Sequence, residues 1–359
     1  MIDFRYHLVS LISVFLALAV GIVLGAGPLR ENLGDQLAGQ VEQLRTEQEQ
    51  LRTEATDLSA RNDQLASFIA ELGPDLVAGT LDGAQVAVLT DDRSTRPGID
   101  RLLGLLDGAG AAPAVRIGLE PALWEPGQEP ARAAAVEEIR GIAPAALPGD
   151  PDGTLTDAEQ LGAVIPALLR PADEGELTAE LRSQVWQVLR DQQLITVDGE
   201  LPAAVDAVVY ASAAPEALAD ANEDEAEATA RAQGLLAVQT ALLRTLAETS
   251  LPAVVTAATP GNDASTGILR TVRGDAAFDA LSTTDRLQEP DGPLLAVLAL
   301  VEQLRGGAGA YGTTADAQDR LPALPETEGL VDGAPEQDGA DQDAPVDQGA
   351  GPSDGGGQG

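Results

Sequence analysis

The sequence predicts an α/β protein with an N-terminal transmembrane helix, a parallel coiled-coil stalk, a Rossmann-like parallel-sheet domain and a disordered acidic C-terminal tail. Three observations predict this order. An uncharged apolar segment runs directly into leucines spaced seven residues apart, short β-branched runs then alternate with helical stretches, and the chain ends in a segment rich in Gly and Asp. We therefore divide the chain into an anchor (1–30), a stalk (31–73), an extracytoplasmic body (80–315) and a tail (316–359).

The anchor contains an uncharged stretch at 8–26 that is bounded by Arg5 and Arg30. Its 19 residues, at about 1.5 Å each, span roughly 28 Å, which matches the hydrocarbon core of a bilayer. A cleaved signal peptide is the alternative, but its apolar core is usually about 7–15 residues long. Because the apolar core is longer here and Pro28 lies where cleavage would occur, we predict an uncleaved helix that contacts membrane lipid through residues 8–26.

Charges at the two ends of this span predict its orientation. Arg5 and the terminal amine lie on the short side, whereas Arg30 is followed by Glu31 and Asp35. The positive-inside rule places the N-terminus in the cytoplasm. This predicts a single-pass protein of the plasma membrane whose body lies outside the cytoplasm.

The stalk carries six leucines at a strict seven-residue interval, which we assign to the d positions of a heptad repeat. Asn62 then lies at an a position, a pattern typical of parallel two-stranded coils in which one polar residue fixes the register. Gly21 and Gly25 add a small-residue pair that lets two helices approach closely in lipid, although glycine is also common in unpaired spans. The predicted assembly residues are Gly21, Gly25, Leu37, Leu44, Leu51, Leu58, Asn62, Leu65 and Leu72.

The alternative for the stalk is one amphipathic helix folded against its own body. A straight helix drifts about 20° per heptad from a 3.5-residue repeat, so an unbroken seven-residue spacing favours self-association. We predict a parallel dimer or higher oligomer of this chain, with the coil ending at Gly73–Pro74.

Within the body, short β-branched runs alternate with segments of helical periodicity. Such alternation predicts parallel strands covered by helices on both faces of the sheet. The predicted strands are 85–89, 114–117, 194–197, 207–210, 253–256 and 280–283. The predicted helices are 97–106, 130–142, 157–169, 178–192, 226–248, 267–272 and 293–304.

Composition excludes several classes of function. The net charge is −37, and the 21 basic residues are all arginine, so no basic face for nucleic acid is expected. The chain has no cysteine, and its one histidine, His7, lies at the membrane edge. These counts exclude thiolate metal sites, cysteine nucleophiles and a Ser-His-Asp triad in the body. We expect no enzyme activity, no bound cofactor and no resident metal site.

Two acidic segments stand apart from the predicted core. The run 216–227 holds six carboxylates, and it is either a solvated helix face, the commoner case, or a site for a divalent cation. Residues 321–359 carry nine acidic residues and no basic one. Such a segment cannot bury enough apolar area to offset its chain entropy, so we predict disorder.

Polar side chains follow several of the predicted strands. Ligands in parallel sheets bind at the carboxyl ends of the strands, so these residues define a candidate crevice. The loop TDDRSTRP after the first strand lacks the glycine patterns of dinucleotide or P-loop sites. The side chains at these ends are Asp91, Asp92, Arg93, Asp198, Ser212, Asn262, Asp263 and Asp285, of which we select Asp91, Asp92 and Asp285 for the crevice.

The N-terminal stretch MIDFRYHLVSLISVFLALAVGIVLG, followed by the coil, resembles the actinobacterial copper transporter family typified by mycobacterial copper transport protein B. The resemblance continues at LSTTD (281–285), at 292–304 and at AYG (310–312), and it covers residues 1 to about 315. It implies a membrane protein that limits copper inside the cell. The family's type member further implies a channel in an outer membrane.

Copper(I) prefers thiolate, thioether and imidazole ligands. The chain offers one Met, one His and no Cys, so we expect copper ions to contact it only transiently. Our first hypothesis is therefore a homo-oligomeric envelope protein that contributes to copper export by organising a path and not by chelation. A coiled-coil envelope scaffold without copper transport is one alternative, and a degenerate enzyme or ligand-binding domain that uses the strand-end carboxylates is the other.

Overall fold

The structure is a computed structural model that describes residues 4–171, 177–201, 203–213, 224–249, 251–259 and 267–324, with the backbone alone at 24–38. In these ranges the helices are α1 (Phe4–Val77), α2 (Arg96–Gly108), α3 (Glu129–Ile142), α4 (Asp157–Leu169), α5 (Ala179–Asp191), α6 (Glu225–Glu248), α7 (Ile268–Arg273) and α8 (Gly292–Leu304). The strands are β1 (Val86–Thr90), β2 (Val115–Leu119), β3 (Ile195–Asp198), β4 (Ala207–Ser212), β5 (Ala253–Ala257), β6 (Ser282–Thr284) and β7 (Ala310–Tyr311). Each strand and helix predicted for the body is present within two residues of its expected bounds.

Helix α1 is continuous from the apolar segment through the stalk, over 74 residues. It continues past Gly73–Pro74, so the stalk helix does not end where the sequence predicted. The reason is packing: Val77 in the last turn is fully buried, and it joins the core formed by α2 and α8. Because Gly73 has no side chain, α1 can approach Leu105 of α2 and Leu294 of α8; a Cβ there would lie 3.1 Å from Leu105 Cδ2.

The seven strands form one sheet in the order β3-β2-β1-β4-β5-β6-β7. All neighbours pair in parallel except β3, which runs antiparallel to β2 at one edge. The predicted parallel sheet is thus confirmed from β2 to β7, and β3 departs from it. When one helix connects two neighbouring strands, the second strand runs parallel to the first. Three helices connect β2 to β3, so this rule does not fix the direction of β3. Strand β7 was not predicted, because it has only two residues.

Two cores lie on opposite faces of the sheet, as alternation along β1 illustrates. Ala87 and Leu89 point into the larger core beneath α3, α4, α5 and α6. Val86 and Val88 point into the smaller core, which α2, α8 and the last turn of α1 complete. Coverage on the second face is incomplete at the edge, because Thr196 and Asp198 of β3 are exposed there. This open polar edge forms part of the groove described below.

Several predicted features lie outside the described residues. They include Asn262 and Asp263, most of the acidic run 216–227, and the tail beyond residue 324. At 224–227 the acidic run begins α6, where the carboxylate of Asp224 accepts hydrogen bonds from the backbone of Ala226 and Glu227. At 316–324 the chain lies against the body: Asp316 pairs with Arg273 at 3.0 Å, and the Asp319 carbonyl accepts a hydrogen bond from the Gly312 amide.

Candidate functional site

The strand order places a topological switch point between β1 and β4. From β1 the chain moves to β2 and β3 on one side, then returns to β4 on the other. In open α/β sheets the carboxyl ends of the strands at such a point form the usual ligand crevice. Asp91 and Asp92 directly follow β1, and Ser212 ends β4, so the structure brings these predicted residues to the switch point.

Asp91 is a buried hub at this point. Its carboxylate accepts hydrogen bonds from the Tyr210 hydroxyl (2.9 Å), the Ser212 hydroxyl (2.6 Å), the Ala213 amide (2.9 Å) and Gln239 Nε2 (2.8 Å). Burial raises the pKa of Asp91, and these four hydrogen bonds oppose the rise. With both oxygens satisfied, Asp91 ties β1 to β4 and α6, which is a positioning role and not one of proton transfer.

Asp92 shapes the loop between β1 and α2. Its Oδ1 accepts a hydrogen bond from the Ser94 amide at 2.6 Å and caps a 3-10 turn at Arg93–Thr95. The hydroxyls of Thr90 and Thr95 lie 2.7 Å apart and close the same loop. Asp92 is half-buried and lines a groove, whereas Asp91 behind it is buried.

Asp285 organises a second strand end, directly after β6. It is fully buried, and its Oδ2 accepts hydrogen bonds from the Thr313 amide (2.8 Å), the Thr314 amide (2.9 Å) and the Thr314 hydroxyl (2.9 Å). Gly312 permits this contact, because its φ is +134° and a Cβ there would lie 2.2 Å from the carboxylate. Asp285 therefore holds the chain that follows β7.

The structure does not place Asp285 beside Asp91 and Asp92. Strands β4 and β5 separate β1 from β6, and three strand spacings amount to about 14 Å. The loop after β6 does reach the loop after β1, since Gln288 Nε2 donates to the Ser94 carbonyl at 2.9 Å. The predicted crevice is thus two strand ends joined by a loop.

Asp198 also occupies a different position from the expected one. Because β3 is antiparallel, its carboxyl end lies beside the start of β2, where Asp198 pairs with Arg116. Arg93 is exposed at the switch-point loop. Sequence reasoning missed Tyr210, Gln239 and Arg273, whose polar groups contact residues far along the chain.

Arg273 is the clearest of these missed residues. Its guanidinium donates to the Thr283 hydroxyl (2.8 Å), the Thr314 hydroxyl (2.7 Å) and the Tyr311 carbonyl (2.8 Å). It thereby fixes β6, β7 and the following loop to one another. A basic residue that ends a short helix gives no sequence signal for such a role.

The predicted assembly residues form an exposed stripe along α1. Leu44, Leu51, Leu58, Leu65 and Leu72 are 40–65% exposed, and Asn62 lies exposed among them. A Cβ on Gly21 would have no neighbour within 4 Å. The side chains at positions 25 and 37 lie outside the described residues. Apart from the half-buried Ala66 and Ile69 near its end, the described stalk from 39 to 72 therefore makes no buried contact with its own body.

The N-terminal part of α1 has the length and composition of a membrane span. The segment Arg5–Val23 has 19 residues, a mean hydropathy of 2.3 and no buried residue within the structure. A signal sequence near the N-terminus would meet the same criteria. Among the described residues, no group of three His, Cys, Asp or Glu side chains is arranged to hold a metal ion.

Comparison with known proteins gives one consistent result. Residues 1–322 match the family model described as "Copper transport outer membrane protein, MctB". The chain is 26% identical over 322 residues to the copper transporter MctB of Mycobacterium bovis and to that of Mycobacterium tuberculosis H37Rv, covering 87% of this chain and 96% of each relative. The family match spans anchor, stalk and body, so this chain belongs to the MctB family of copper transport proteins.

Proposed function

We propose that this protein contributes to copper export as a membrane-anchored homo-oligomer assembled through a parallel coiled coil. The observation that carries the proposal is the exposed leucine stripe of α1 in a chain of a copper transport family. The leucine stripe supports the proposed assembly, and the family membership supports copper as the transported ion.

The stripe fits a second copy of the chain better than any other partner. Leucines at every d position with one Asn at an a position form a pattern that is typical of parallel two-stranded coils. Burying the remaining exposed surface of each leucine stabilises the pair by about 1 kcal/mol. Asn62 lowers that stability but fixes the register, because an unpaired amide in the seam is costly.

The proposed mechanism is organisation of an export path and not chelation. Copper(I) binds soft sulfur and imidazole ligands, and the sequence outside the first seven residues has no Met, Cys or His. Copper that passes along this protein therefore meets carboxylate and backbone oxygen, which hold it weakly and release it.

The proposed location is the plasma membrane, with the N-terminus in the cytoplasm and the body outside. The support is the single apolar segment at Arg5–Val23 together with the arginine and terminal amine on its short side. The family description names an outer membrane, which is the alternative location. Protease treatment of intact cells, followed by detection of the body, tests whether the body is exposed outside the plasma membrane.

The deciding experiment measures cellular copper in a strain that lacks this protein. The strain is complemented with the full chain, with Leu44→Asp/Leu51→Asp/Leu58→Asp, or with a control carrying Thr46→Asp/Thr53→Asp/Ala60→Asp. The control adds the same charges one helical face away from the seam. We expect copper to accumulate in the deletion strain and to be corrected by the full chain and the control, but not by the seam variant.

A scaffold that does not transport copper is the second candidate. The observation that favours it is the body itself, which among its described residues shows no arrangement for holding a metal ion. If cellular copper is unchanged in the deletion strain while the wild-type protein is oligomeric, the scaffold role replaces copper export as the proposed function.

A further inference from the structure

A groove of about 710 Å³ lies between the start of α2 and the open edge of the sheet. Its floor is the face of β2 and β3 that no helix covers, including Gly118 and Thr196. Its wall is the loop after β1 and the first turn of α2, including Ile99. This volume lies within the range of about 300–1,000 Å³ that is typical of small-molecule sites.

Two arginines on the wall point to an acidic ligand. Arg93 begins the 3-10 turn and Arg96 begins α2, three residues later, so the two side chains lie on one face of the turn. Both are exposed and both line the groove. Among the residues that the structure describes, neither guanidinium has a hydrogen-bond or ion-pair partner.

Among the described residues, the carboxylates around the groove form no ion pair with Arg93 or Arg96, and each accepts a hydrogen bond from another group. Asp92 accepts from the Ser94 amide, and Glu120 Oε1 accepts from the Thr196 hydroxyl at 3.0 Å. Asp198 pairs with Arg116. Asp91, behind them, accepts four hydrogen bonds within the core. Arg93 and Arg96 therefore remain as donors at the groove without a partner among the described residues.

The groove also has an apolar side. Pro121 is exposed there, beside the half-buried Val197, whereas Ile99 and Leu119 lie buried beneath the surface. A bare inorganic anion would leave this surface without contacts, whereas a molecule with an apolar part would cover it. The net charge of −37 disfavours anions near the protein, so anion binding here depends on direct contact with the two arginines.

We propose that this groove binds a small organic oxyanion, a molecule that joins a phosphate or carboxylate group to an apolar portion. Arg93 and Arg96 bind the oxyanion, since planar guanidinium groups match the geometry of both anions. Pro121, which is exposed, contacts the apolar portion. This site is separate from the copper function and from the stalk, and it gives the body a role of its own.

The test is isothermal titration calorimetry on the full chain in detergent micelles. The probes are phenyl phosphate, benzoate and neutral benzamide, which share a ring and differ in charge. We expect saturable binding of at least one anion, with the tighter of the two identifying phosphate or carboxylate as the preferred group, and weaker binding of benzamide. Raising the salt concentration should weaken the binding of the anion.

The variant Arg93→Ala/Arg96→Ala should weaken binding of the preferred anion at least tenfold. Arg305→Ala is the matched control, because Arg305 is also exposed but lies at the end of α8 and not on the groove; its binding should equal that of the wild type. The proposal is overturned if neither anion binds saturably, if benzamide binds as tightly as the anions, or if the double variant binds like the control.

Discussion

Leucine is used in two opposite ways in this molecule. In the body, Leu161, Leu242 and Leu300 are completely buried, and their partners all belong to the same chain. In the stalk, Leu51 and Leu58 are about two-thirds exposed. The sheet and its helices thus complete their cores within one chain, whereas the stalk presents an apolar stripe that a single chain leaves open. The comparison supports the proposal that the stalk, unlike the body, pairs with a second copy of the chain.

The largest expected effect is the loss of self-association when leucines of the stripe are replaced by aspartate. In Leu44→Asp/Leu51→Asp/Leu58→Asp, each aspartate would have to be buried without a counter-charge in the seam, so association should weaken by more than about a thousandfold, or about 4 kcal/mol. Sedimentation equilibrium in detergent measures this. An unchanged oligomer would show that another surface holds the copies together.

The next effect is confined to the body. Leu242→Ala on α6 should lower the free energy of unfolding by about 2–5 kcal/mol, because it leaves a cavity in the larger core. Urea unfolding followed by the fluorescence of Trp124 and Trp186 reports on that core, in which both tryptophans are buried. Association should not change.

The matched control for this prediction is Leu236→Ala, on the same helix but 40% exposed. Its cost should be about 0.5–1 kcal/mol. Equal losses for the two variants would mean that α6 does not pack as the structure has it.

A smaller effect is expected at the buried hub. Asp91→Asn replaces one acceptor oxygen by an amide NH2, which would face either the Ala213 amide or Gln239 Nε2, so unfolding should become easier by about 1–3 kcal/mol. Since burial raises the folded-state pKa of Asp91, the wild type gains most from this group below the unfolded-state pKa. The difference between wild type and variant should therefore shrink as pH rises through the raised pKa, which urea titrations at several pH values would measure. A difference that grows with pH would contradict this assignment.

The smallest effect concerns the chain after β7. Partial burial acts to raise the pKa of Asp316. Hydrogen bonds from Thr314 and Arg273, together with the charge of Arg273, outweigh this and lower the pKa. Its stabilising contribution is present above the unfolded-state pKa and is lost as pH falls through the lowered pKa. Because Asp316 is 42% exposed, Asp316→Asn should cost at most about 0.5 kcal/mol at neutral pH and nothing in acid. Amide hydrogen exchange at 312–319 detects so small a change, and equal exchange at neutral pH would argue against the contact.

Local periodicity made the elements of the body predictable, and long-range contacts did not follow from it. Short β-branched apolar runs place β1, β4 and β5 within two residues of their bounds, because such a run is a local feature of the sequence. The direction of β3 depends on how three helices pack, and β7 is too short to leave a pattern. The hub at Asp91 depends on Tyr210 and Gln239, which are 119 and 148 residues away in sequence. Its position at a strand end was predictable, but the four donors that surround it were not.

Because α1 is one unbroken helix whose final turn belongs to the core of the body, its length sets the distance between the apolar segment and the body. From Val23 to Val77 it spans about 80 Å at 1.5 Å per residue, which fixes the height of the body above the apolar segment. Removing one heptad would lower the body by about 10 Å and turn it by only about 20°. Removing four residues would lower the body by about 6 Å and turn it by about 40°, and it would break the leucine register. Changing the number of whole heptads would therefore alter the height of the body while nearly preserving the direction that it faces.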